Sequence, residues 1–315
     1  MSGKYSLPAA TLTLHAAEAP ERSAWQGRIG AWLPALAIWP PLILSAGHVV
    51  LFTLWTAWIS FTPSTLMPEG GFIGFKNYAA VMATRNFSVA YSNVIVFGLC
   101  FVVFTTLLGL LLAILLDQRV RGESVLRTIF LYPMAVSFVV TGTIWSWLLN
   151  PGFGIQKLVR DMGWTDFRFD WLIDRDRAIY TLVIAATWQA AGFAMALFLA
   201  GLRSVDPEIV KAAKIDGAGP MRIYRRVVLP TMGPIFFAVM VILLQNAIKT
   251  FDLVRALTGG GPGIATSLPA TVVYDFMFQR GQLGRGSAAA VLMLLALVAV
   301  GVPYLMYHRI RRSPA

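Results

Sequence analysis

Charged residues are scarce in this chain: Asp, Glu, Lys and Arg together make up 13% of its 315 residues, whereas hydrophobic residues make up 57%. A soluble domain of this length needs far more charge to cover its surface, so the composition excludes one. The sequence therefore predicts an integral membrane protein.

Cysteine and histidine are equally rare, with the single cysteine Cys100 and the three histidines His15, His48 and His308. One cysteine excludes an intrachain disulfide, and histidines this scattered show no metal-binding spacing. The chain has no G-x-x-x-x-G-K-[ST] motif, which excludes a P-loop for nucleotide phosphates. No Ser/His/Asp or paired-carboxylate arrangement supports a membrane enzyme. We therefore expect no catalytic site and no metal site.

Long runs without any charged residue are abundant. There are six, at residues 29–68, 86–116, 128–156, 178–202, 227–248 and 286–308. Each exceeds the roughly 20 residues that a helix needs to cross a hydrocarbon core. The expected fold class is an all-α membrane protein with six transmembrane helices. Its transmembrane domain spans residues 29–308, between tails at 1–28 and 309–315.

The basic residues predict the orientation. Six spans place both termini on one side, and if that side is the cytoplasm it holds 15 of the 26 Lys and Arg residues, as the positive-inside rule requires. Anionic lipid beside these residues accounts for the net charge of +11, so no nucleic-acid partner is expected. No cleavage site follows a short apolar core, so the first span is expected to stay as an anchor. We expect a multi-pass protein of the cell membrane, typically a bacterial inner membrane.

The longest polar interruption between apolar runs is DPEIVKAAKIDGAGPMRIYRRVVLP, residues 206–230. Asp206 is a good N-cap, and Pro207 fits the first helical position. Glu208 then lies in the first turn, where the helix dipole favours a negative charge. The pattern predicts a short helix in a polar loop at about residues 203–230, which we call the 203–230 loop.

Small and apolar residues shape the rest of this loop. Ile209, Ala212 and Ala213 recur at helical spacing and predict one apolar face. Gly217 ends the helix, where a left-handed backbone is expected, and a second helix is predicted from about residue 221 to residue 228. Two interpretations fit this pattern. The loop lies on lipid with its arginines reaching the headgroups, or a partner's groove closes over its accessible backbone.

The motif EIVKAAKIDGAGP followed by VVLP strongly resembles the signature loop of permease subunits of binding-protein-dependent ABC importers. The matching residues are Ala212, Ala213, Asp216, Gly217, Ala218, Leu229 and Pro230. Lys211 departs from the pattern, because the family usually carries Glu there; Glu208, one turn earlier, is a partial substitute. The resemblance implies that this loop is a coupling helix seated in a cleft of an ATPase. The implied coupling residues are Glu208, Lys211, Ala212, Ala213, Asp216, Gly217 and Ala218.

Three further motifs, FIGFKNY, LLNPGFG and TGGGPG, resemble the carbohydrate branch of these importers, which includes maltose and glycerol-3-phosphate permeases. The resemblance implies a heterodimer of two related permeases, two cytoplasmic ATPase subunits and an external sugar-binding protein. ATP, with magnesium, would be bound by the ATPase subunits, and this chain would need no cofactor of its own. The implied function is passage of a sugar through the membrane without chemistry.

Polar residues in the fourth and fifth predicted spans are candidates for the sugar path, since amides and hydroxyls bond sugar hydroxyls and Trp offers an apolar face. They are Thr187, Trp188, Gln189, Gln245, Asn246, Lys249, Thr250 and Asp252. In the family, the matching segments line the substrate cavity. Alternatively, Gln245 and Asn246 hold helices together, and Lys249, Asp252 and Arg255 pair with one another at the outer interface.

Two other functions stay open at this point. A permease for a non-sugar solute would share the 203–230 loop, although the carbohydrate-branch motifs favour a sugar. An ion-coupled secondary transporter would need carboxylates in the middle of its helices. Asp117, Asp252 and Asp275 lie at the ends of predicted spans or in loops, which disfavours that mechanism.

Overall fold

The computed structural model describes the backbone of residues 24–118 and 120–312 and the side chains of residues 38–118, 120–299 and 301–302. Within these ranges the regular structure is entirely helical, as predicted. The described residues divide into two compact units, one that ends at Leu54 and one that begins at Trp55. The candidate site lies entirely in the second. The predicted tail residues 1–23 and 313–315 lie outside the described residues.

Fourteen helices and two π-helical turns follow one another in the described residues. The helices are α1 (Ala24–Ile59), α2 (Lys76–Met82), α3 (Arg85–Asp117), α4 (Glu123–Ala135), α5 (Phe138–Leu148), α6 (Ile155–Asp161), α7 (Ala178–Arg203), α8 (Pro207–Ile215), α9 (Pro220–Ile223), α10 (Leu229–Thr231), α11 (Gly233–Lys249), α12 (Asp252–Leu257), α13 (Pro269–Tyr274) and α14 (Leu283–Arg312). The π-helical turns are Tyr224–Val228, between α9 and α10, and Asp275–Gln279, between α13 and α14.

Three described helices are long and apolar enough to cross a membrane without a break: the Ile38–Ile59 part of α1, α3 and α7. The prediction of a single helix for each apolar run is wrong for the third and fifth runs. The third run is divided between α4 and α5, which are bent by 98°, and the fifth is divided between Pro220–Thr231 and α11, bent by 67°. The sixth run lies in α14, whose apolar part in the described residues is Leu283–Ala299.

Local sequence explains both breaks. Pro133 lies near the end of α4, and the Ser137 side chain accepts a hydrogen bond from Val140 N, which starts α5 in a new direction. In the fifth run, Pro230 and Pro234 flank the bend. A proline lacks the amide hydrogen that would continue a helix, so a run of apolar residues does not guarantee a straight one.

The core of the second unit lies where α3, α7 and α11 pack together, with the short helix α12 against α5. Phe97 on α3 and Phe198 on α7 are fully buried there. Gly109 permits the close approach of α3 to α7, because a Cβ at this position would lie 2.6 Å from that of Ala194. Gly192 does the same for α4, since its Cβ would collide with the Phe130 carbonyl oxygen.

This packing places the 203–230 loop at one end of the helices and the polar residues of α11 at the other. The loop follows the last residue of α7, and α11 begins directly after it at Gly233. The 17 residues of α11 span about 25 Å before the helix ends at Lys249. The two candidate regions are therefore separated by most of the length of α11.

Candidate functional site

The 203–230 loop begins with the predicted helix. The Asp206 side chain accepts a hydrogen bond of 2.9 Å from Glu208 N, and Pro207 occupies the first turn of α8. The predicted second helix, residues 221–228, is only partly regular: α9 contains four residues and continues into the π-helical turn Tyr224–Val228. Such turns add a residue to the helical ladder and occur frequently at functional sites.

Gly217 closes the turn after α8 in the left-handed backbone conformation that the sequence predicted, with φ of +75°. A hydrogen bond of 3.0 Å from Ala218 N to the Ala213 carbonyl fixes this turn. A Cβ built on Gly217 would have no heavy atom within 4 Å, and the residue is exposed. Nothing within the described chain fills the space beside it, so the turn leaves room for another molecule.

The apolar residues of α8 differ in burial, and the predicted apolar face of Ile209, Ala212 and Ala213 is only partly covered by the rest of the described chain. Ala213 and Val210 are half-buried and pack against the core. Ile209 and Ala212 are exposed, and so is Ile215, whose relative exposure is 86%. The sequence pattern missed this division because alanine and isoleucine carry the same apolar signal on either face.

Met221, which is 80% exposed, adds to the apolar side chains that α8 presents. Ile209, Ile215 and Met221 are thus large exposed apolar side chains in a loop that also carries several exposed charges. Large apolar side chains exposed among polar residues outside the spans are typical of an interaction surface. Asp216, Gly217 and Lys211 of the same loop are also exposed.

Lys211 and Glu208 form an ion pair with an Nζ–Oε1 distance of 2.8 Å. Both side chains are more than 60% exposed, so solvent screens the pair and its contribution to stability is small. The pair shows that the unusual lysine at this position has a partner on its own helix. Glu208 is thus engaged with Lys211, one turn away.

The candidate path residues of α7 have different environments. Thr187 and Gln189 are buried, whereas Trp188 between them is 39% exposed and packs edge-to-face against Trp145, with ring centroids 6.0 Å apart. Thr187 accepts a hydrogen bond of 3.4 Å from the Thr105 hydroxyl on α3. Gln189 Nε2 donates to the Val136 carbonyl at 2.6 Å, at the break between α4 and α5.

Gln189 Oε1 is buried and has no hydrogen-bond partner in the described part of the chain. The amide therefore ties α7 to the broken span with one of its two polar atoms and leaves the other unused. The sequence identified Gln189 as polar. It could not show that the Nε2 group donates a hydrogen bond to a carbonyl 53 residues earlier in the chain.

The candidate residues at the end of α11 are more accessible. Asn246 and Lys249, one helical turn apart, are exposed, and Gln245 is half-buried. The Thr250 hydroxyl donates to the Asn246 carbonyl at 2.7 Å, so it caps its own helix, and exposed Asp252 begins α12. In the described residues α11 contacts α7, which carries the other candidate residues.

The alternative that Lys249, Asp252 and Arg255 pair with one another is wrong for the described residues, since the ion pairs found there include none of the three. Arg255 instead lies over the Tyr274 ring, with its guanidinium carbon 5.1 Å from the centroid. It also donates to the Gly259 carbonyl at 3.2 Å. The sequence did not predict these contacts.

Gln279 extends this network. In the amide orientation that satisfies both neighbours, it accepts from Arg255 Nη2 at 3.3 Å and donates to Asp275 Oδ1 at 3.0 Å. Asn86 Nδ2 on α3 donates to Asp275 Oδ2 at 3.2 Å. Residues 189 positions apart thus meet through tertiary structure, which single-sequence patterns do not encode.

Among the described residues, no group of three or more His, Cys, Asp and Glu side chains is placed to hold a metal ion.

The profile of a known protein family, described as the inner membrane component of binding-protein-dependent transport systems, matches residues 79–312. This chain belongs to that family. The family match includes α3, both broken spans and the whole 203–230 loop. The protein is accordingly a permease component of an ABC transport system, as the signature motif predicted.

Individual relatives agree with this assignment over nearly the full length. A probable ABC transporter permease protein of Pyrococcus horikoshii is 37% identical over 270 residues, covering 85% of this chain and 92% of the relative. The trehalose/maltose transport system permease protein MalF of Thermococcus litoralis is 31% identical over 284 residues, covering 90% and 96%.

A solved structure shows the same fold. A chain of a bacterial alginate ABC transporter, in complex with an alginate pentasaccharide-bound periplasmic protein, superimposes with a TM-score of 0.75 at 20% identity. The match covers 93% of this permease and 99% of that chain. The similarity therefore includes both broken spans, and it is a similarity of fold.

Proposed function

We propose that this permease is the membrane-spanning subunit of an ATP-driven sugar importer, which receives its sugar from an external binding protein. The name of the relative from Thermococcus litoralis assigns that protein to trehalose/maltose transport, and the similar alginate transporter binds a periplasmic protein. The carbohydrate-branch motifs in this chain support the same substrate class. The subunit itself carries out no chemistry.

The exposed apolar side chains of the 203–230 loop are the observation that carries this proposal. Ile209 and Ile215 precede the open turn at Gly217 in the chain, and Met221 follows it. An ATPase cleft that closes over these side chains would remove them from water, and each large apolar side chain so buried contributes about 1.5–3 kcal/mol. We place this loop, and with it both termini, on the cytoplasmic side.

The complete importer in this proposal contains a second, related permease and two ATPase subunits, which bind ATP with magnesium. The permease pair provides two coupling loops, one for each ATPase subunit. The sugar path runs past Trp188 on α7 and the exposed end of α11 at Asn246 and Lys249. Gln245 and Asp252 flank this surface, while Thr187, Gln189 and Thr250 hold the helices that form it.

Reconstitution tests the proposal directly. The permease is purified together with the second permease and the ATPase and incorporated into vesicles that contain Mg-ATP, with the binding protein outside. Accumulation of radiolabelled mono- or oligosaccharide that requires both ATP and binding protein is the expected result. Uptake driven by a proton or sodium gradient without ATP, or uptake of amino acids but no sugar, would contradict the assignment.

Lys211→Glu, which introduces the residue that is usual in the family, is expected to weaken the importer modestly. The change replaces the Lys211–Glu208 ion pair by two like charges one turn apart, and it reverses the charge presented to an ATPase that functions with a lysine. One such exposed contact is worth up to about 1 kcal/mol, or roughly a fivefold loss of ATPase affinity. The loss should shrink as salt is raised.

The measurement for Lys211 is ATPase binding and coupled ATP hydrolysis at low and high ionic strength. Lys211→Gln is the matched control, because it removes the charge without reversing it and should have about half the effect. Unchanged assembly and hydrolysis by the glutamate variant at both salt concentrations would show that Lys211 is solvated and does not contribute to ATPase binding.

A further inference from the structure

The connection between α3 and α4, of which the structure describes residues 117–118 and 120–123, is called here the 117–123 turn, and its described residues contact the 203–230 loop before and after α8. Glu123 Oε1 lies 2.6 Å from Nη2 of Arg203, the last residue of α7. On the other side of α8, the Tyr224 hydroxyl donates to Asp117 Oδ2 at 2.9 Å and accepts from Gln118 Nε2 at 3.2 Å. The same turn therefore makes polar contacts with the segment that precedes α8 and with the segment that follows it.

A cavity of about 680 Å³ is lined by residues of this turn and of the 203–230 loop. Its lining includes Asp117 and Gln118 of the turn and Lys214, Gly217 and Tyr224 of the loop. No residue of α8 is buried, and its contact with the core is made through half-buried side chains. Among the described residues, the position of α8 therefore depends strongly on the two chain segments that flank it and on their polar contacts with the 117–123 turn.

Helix α3 connects the 117–123 turn with the opposite end of the protein. Its 33 residues span about 50 Å and pack along both α7 and α11. Near its other end, Asn93 Nδ2 donates to the carbonyl oxygens of Ala265 and Ser267, at 2.8 and 3.0 Å. A displacement of the turn would therefore reach the loop that follows α12 through one continuous helix.

We propose that the 117–123 turn is a second coupling element, which passes the movement of α8 to α3 and α4 through the Glu123–Arg203 and Asp117–Tyr224 contacts. This role rests on the importer function proposed above. The four residues are positioning residues, which act through α8 and touch neither sugar nor nucleotide. Because a partly exposed ion pair such as Glu123–Arg203 contributes little to stability, its loss should change coupling while the protein still folds.

Charge reversal and exchange test the ion pair in the reconstituted importer. We expect Arg203→Glu and Glu123→Arg each to lower the number of sugars transported per ATP hydrolysed by at least about threefold. The double variant, which restores the pair with its charges exchanged, should return to within about twofold of the wild type. A purely structural role would lower the amount of assembled complex and leave this ratio unchanged.

The matched control is Lys157→Glu, which breaks the exposed Lys157–Asp161 pair, also at 2.6 Å, in α6. This variant should keep the wild-type ratio. Wild-type ratios in both single variants, or a double variant no better than the single ones, would overturn the proposal. If the charge variants fail to assemble, Tyr224→Phe provides the test, because it removes only the hydroxyl group. A lowered number of sugars transported per ATP hydrolysed would then support the second coupling element, and an unchanged number would overturn it.

A distance measurement separates this proposal from the identity of the transported solute. Spin labels at Lys214→Cys and Ser124→Cys, with Cys100→Ala, report the separation of α8 from the 117–123 turn in the assembled complex. We expect a narrow distribution that broadens in Arg203→Glu; an unchanged distribution would overturn the proposed contact. If the wild-type complex imports no sugar, the sugar assignment is wrong, whereas the spin-label distances still test the proposed coupling element.

Discussion

Gly217→Asp is expected to lower sugar uptake at least about a hundredfold while the permease remains in the membrane. Gly217 has φ of +75°, a conformation that costs a residue with a side chain roughly 1–2 kcal/mol. A Cβ there meets no atom of the described chain within 4 Å, so this moderate strain is the main cost to the permease itself. The large effect should arise when the ATPase closes over the turn.

The size of that effect follows from burial of the introduced carboxylate. In an interface that excludes water, an unpaired charge costs several kcal/mol, and each 1.4 kcal/mol lowers an equilibrium constant about tenfold. The measurements are membrane content by immunoblotting, ATPase binding by co-purification, and uptake in vesicles. Membrane content should fall by less than about twofold, because a local strain of this size seldom unfolds a domain of ordinary stability.

Gly163→Asp is the matched control for this prediction. Gly163 also has a positive φ, +108°, and a Cβ there would also meet nothing within 4 Å, but it follows α6 and lies far along the chain from the 203–230 loop. It should keep near wild-type uptake. A well-expressed Gly217→Asp complex that imports sugar normally would exclude the 203–230 loop as the ATPase-binding element.

The course of the 203–230 loop was predictable because its signals are local. An N-cap at Asp206, a proline in the first turn and a glycine after the last turn act within a few residues of one another. Their consequences do not depend on distant parts of the chain. What the local pattern could not supply is the division of the apolar residues into an inner face with Ala213 and an outer face with Ile215.

The broken spans show a second limit of sequence patterns. A run without charge predicts that a segment is buried in lipid or protein, but it does not show that the segment is straight. Pro133 and Ser137 lie at the third-span break and are visible in the sequence, yet prolines also occur in continuous membrane helices. The 98° bend becomes certain only when the tertiary contact is known, as when Gln189 bonds the Val136 carbonyl at the break.

The candidate sugar site illustrates the same point at single residues. Polarity in an apolar span selected Thr187, Gln189 and Thr250, but each makes a hydrogen bond within the described protein. Asn246 and Lys249 were selected by the same criterion, and their side chains have no hydrogen bond or ion pair in the described part of the chain. The structure thus distinguishes polar groups that are already engaged from groups that remain available to a solute.

Asn246→Ala and Lys249→Ala are therefore expected to impair sugar uptake more specifically than changes at the engaged residues. A lost hydrogen bond to a bound sugar costs about 1–3 kcal/mol, which corresponds to roughly ten- to hundredfold weaker binding. Trp188→Ala should have an effect of similar size, because the exposed indole offers the apolar face that a sugar ring needs. Uptake at limiting sugar should fall, while uptake at saturating sugar falls less.

Gln189→Ala and Thr250→Val should instead lower the thermal stability of the complex, since the first removes the hydrogen bond from α7 to the α4–α5 break and the second removes the hydrogen bond at the end of α11. Basal ATP hydrolysis is the internal control for all five variants, because it depends on the 203–230 loop and not on the sugar path. Reduced uptake together with reduced basal hydrolysis would indicate damaged assembly. If Asn246→Ala, Lys249→Ala and Trp188→Ala all transport at wild-type rates when sugar is limiting, the sugar contacts lie in the second permease, and this chain supplies the wall of the path and the connection to the ATPase.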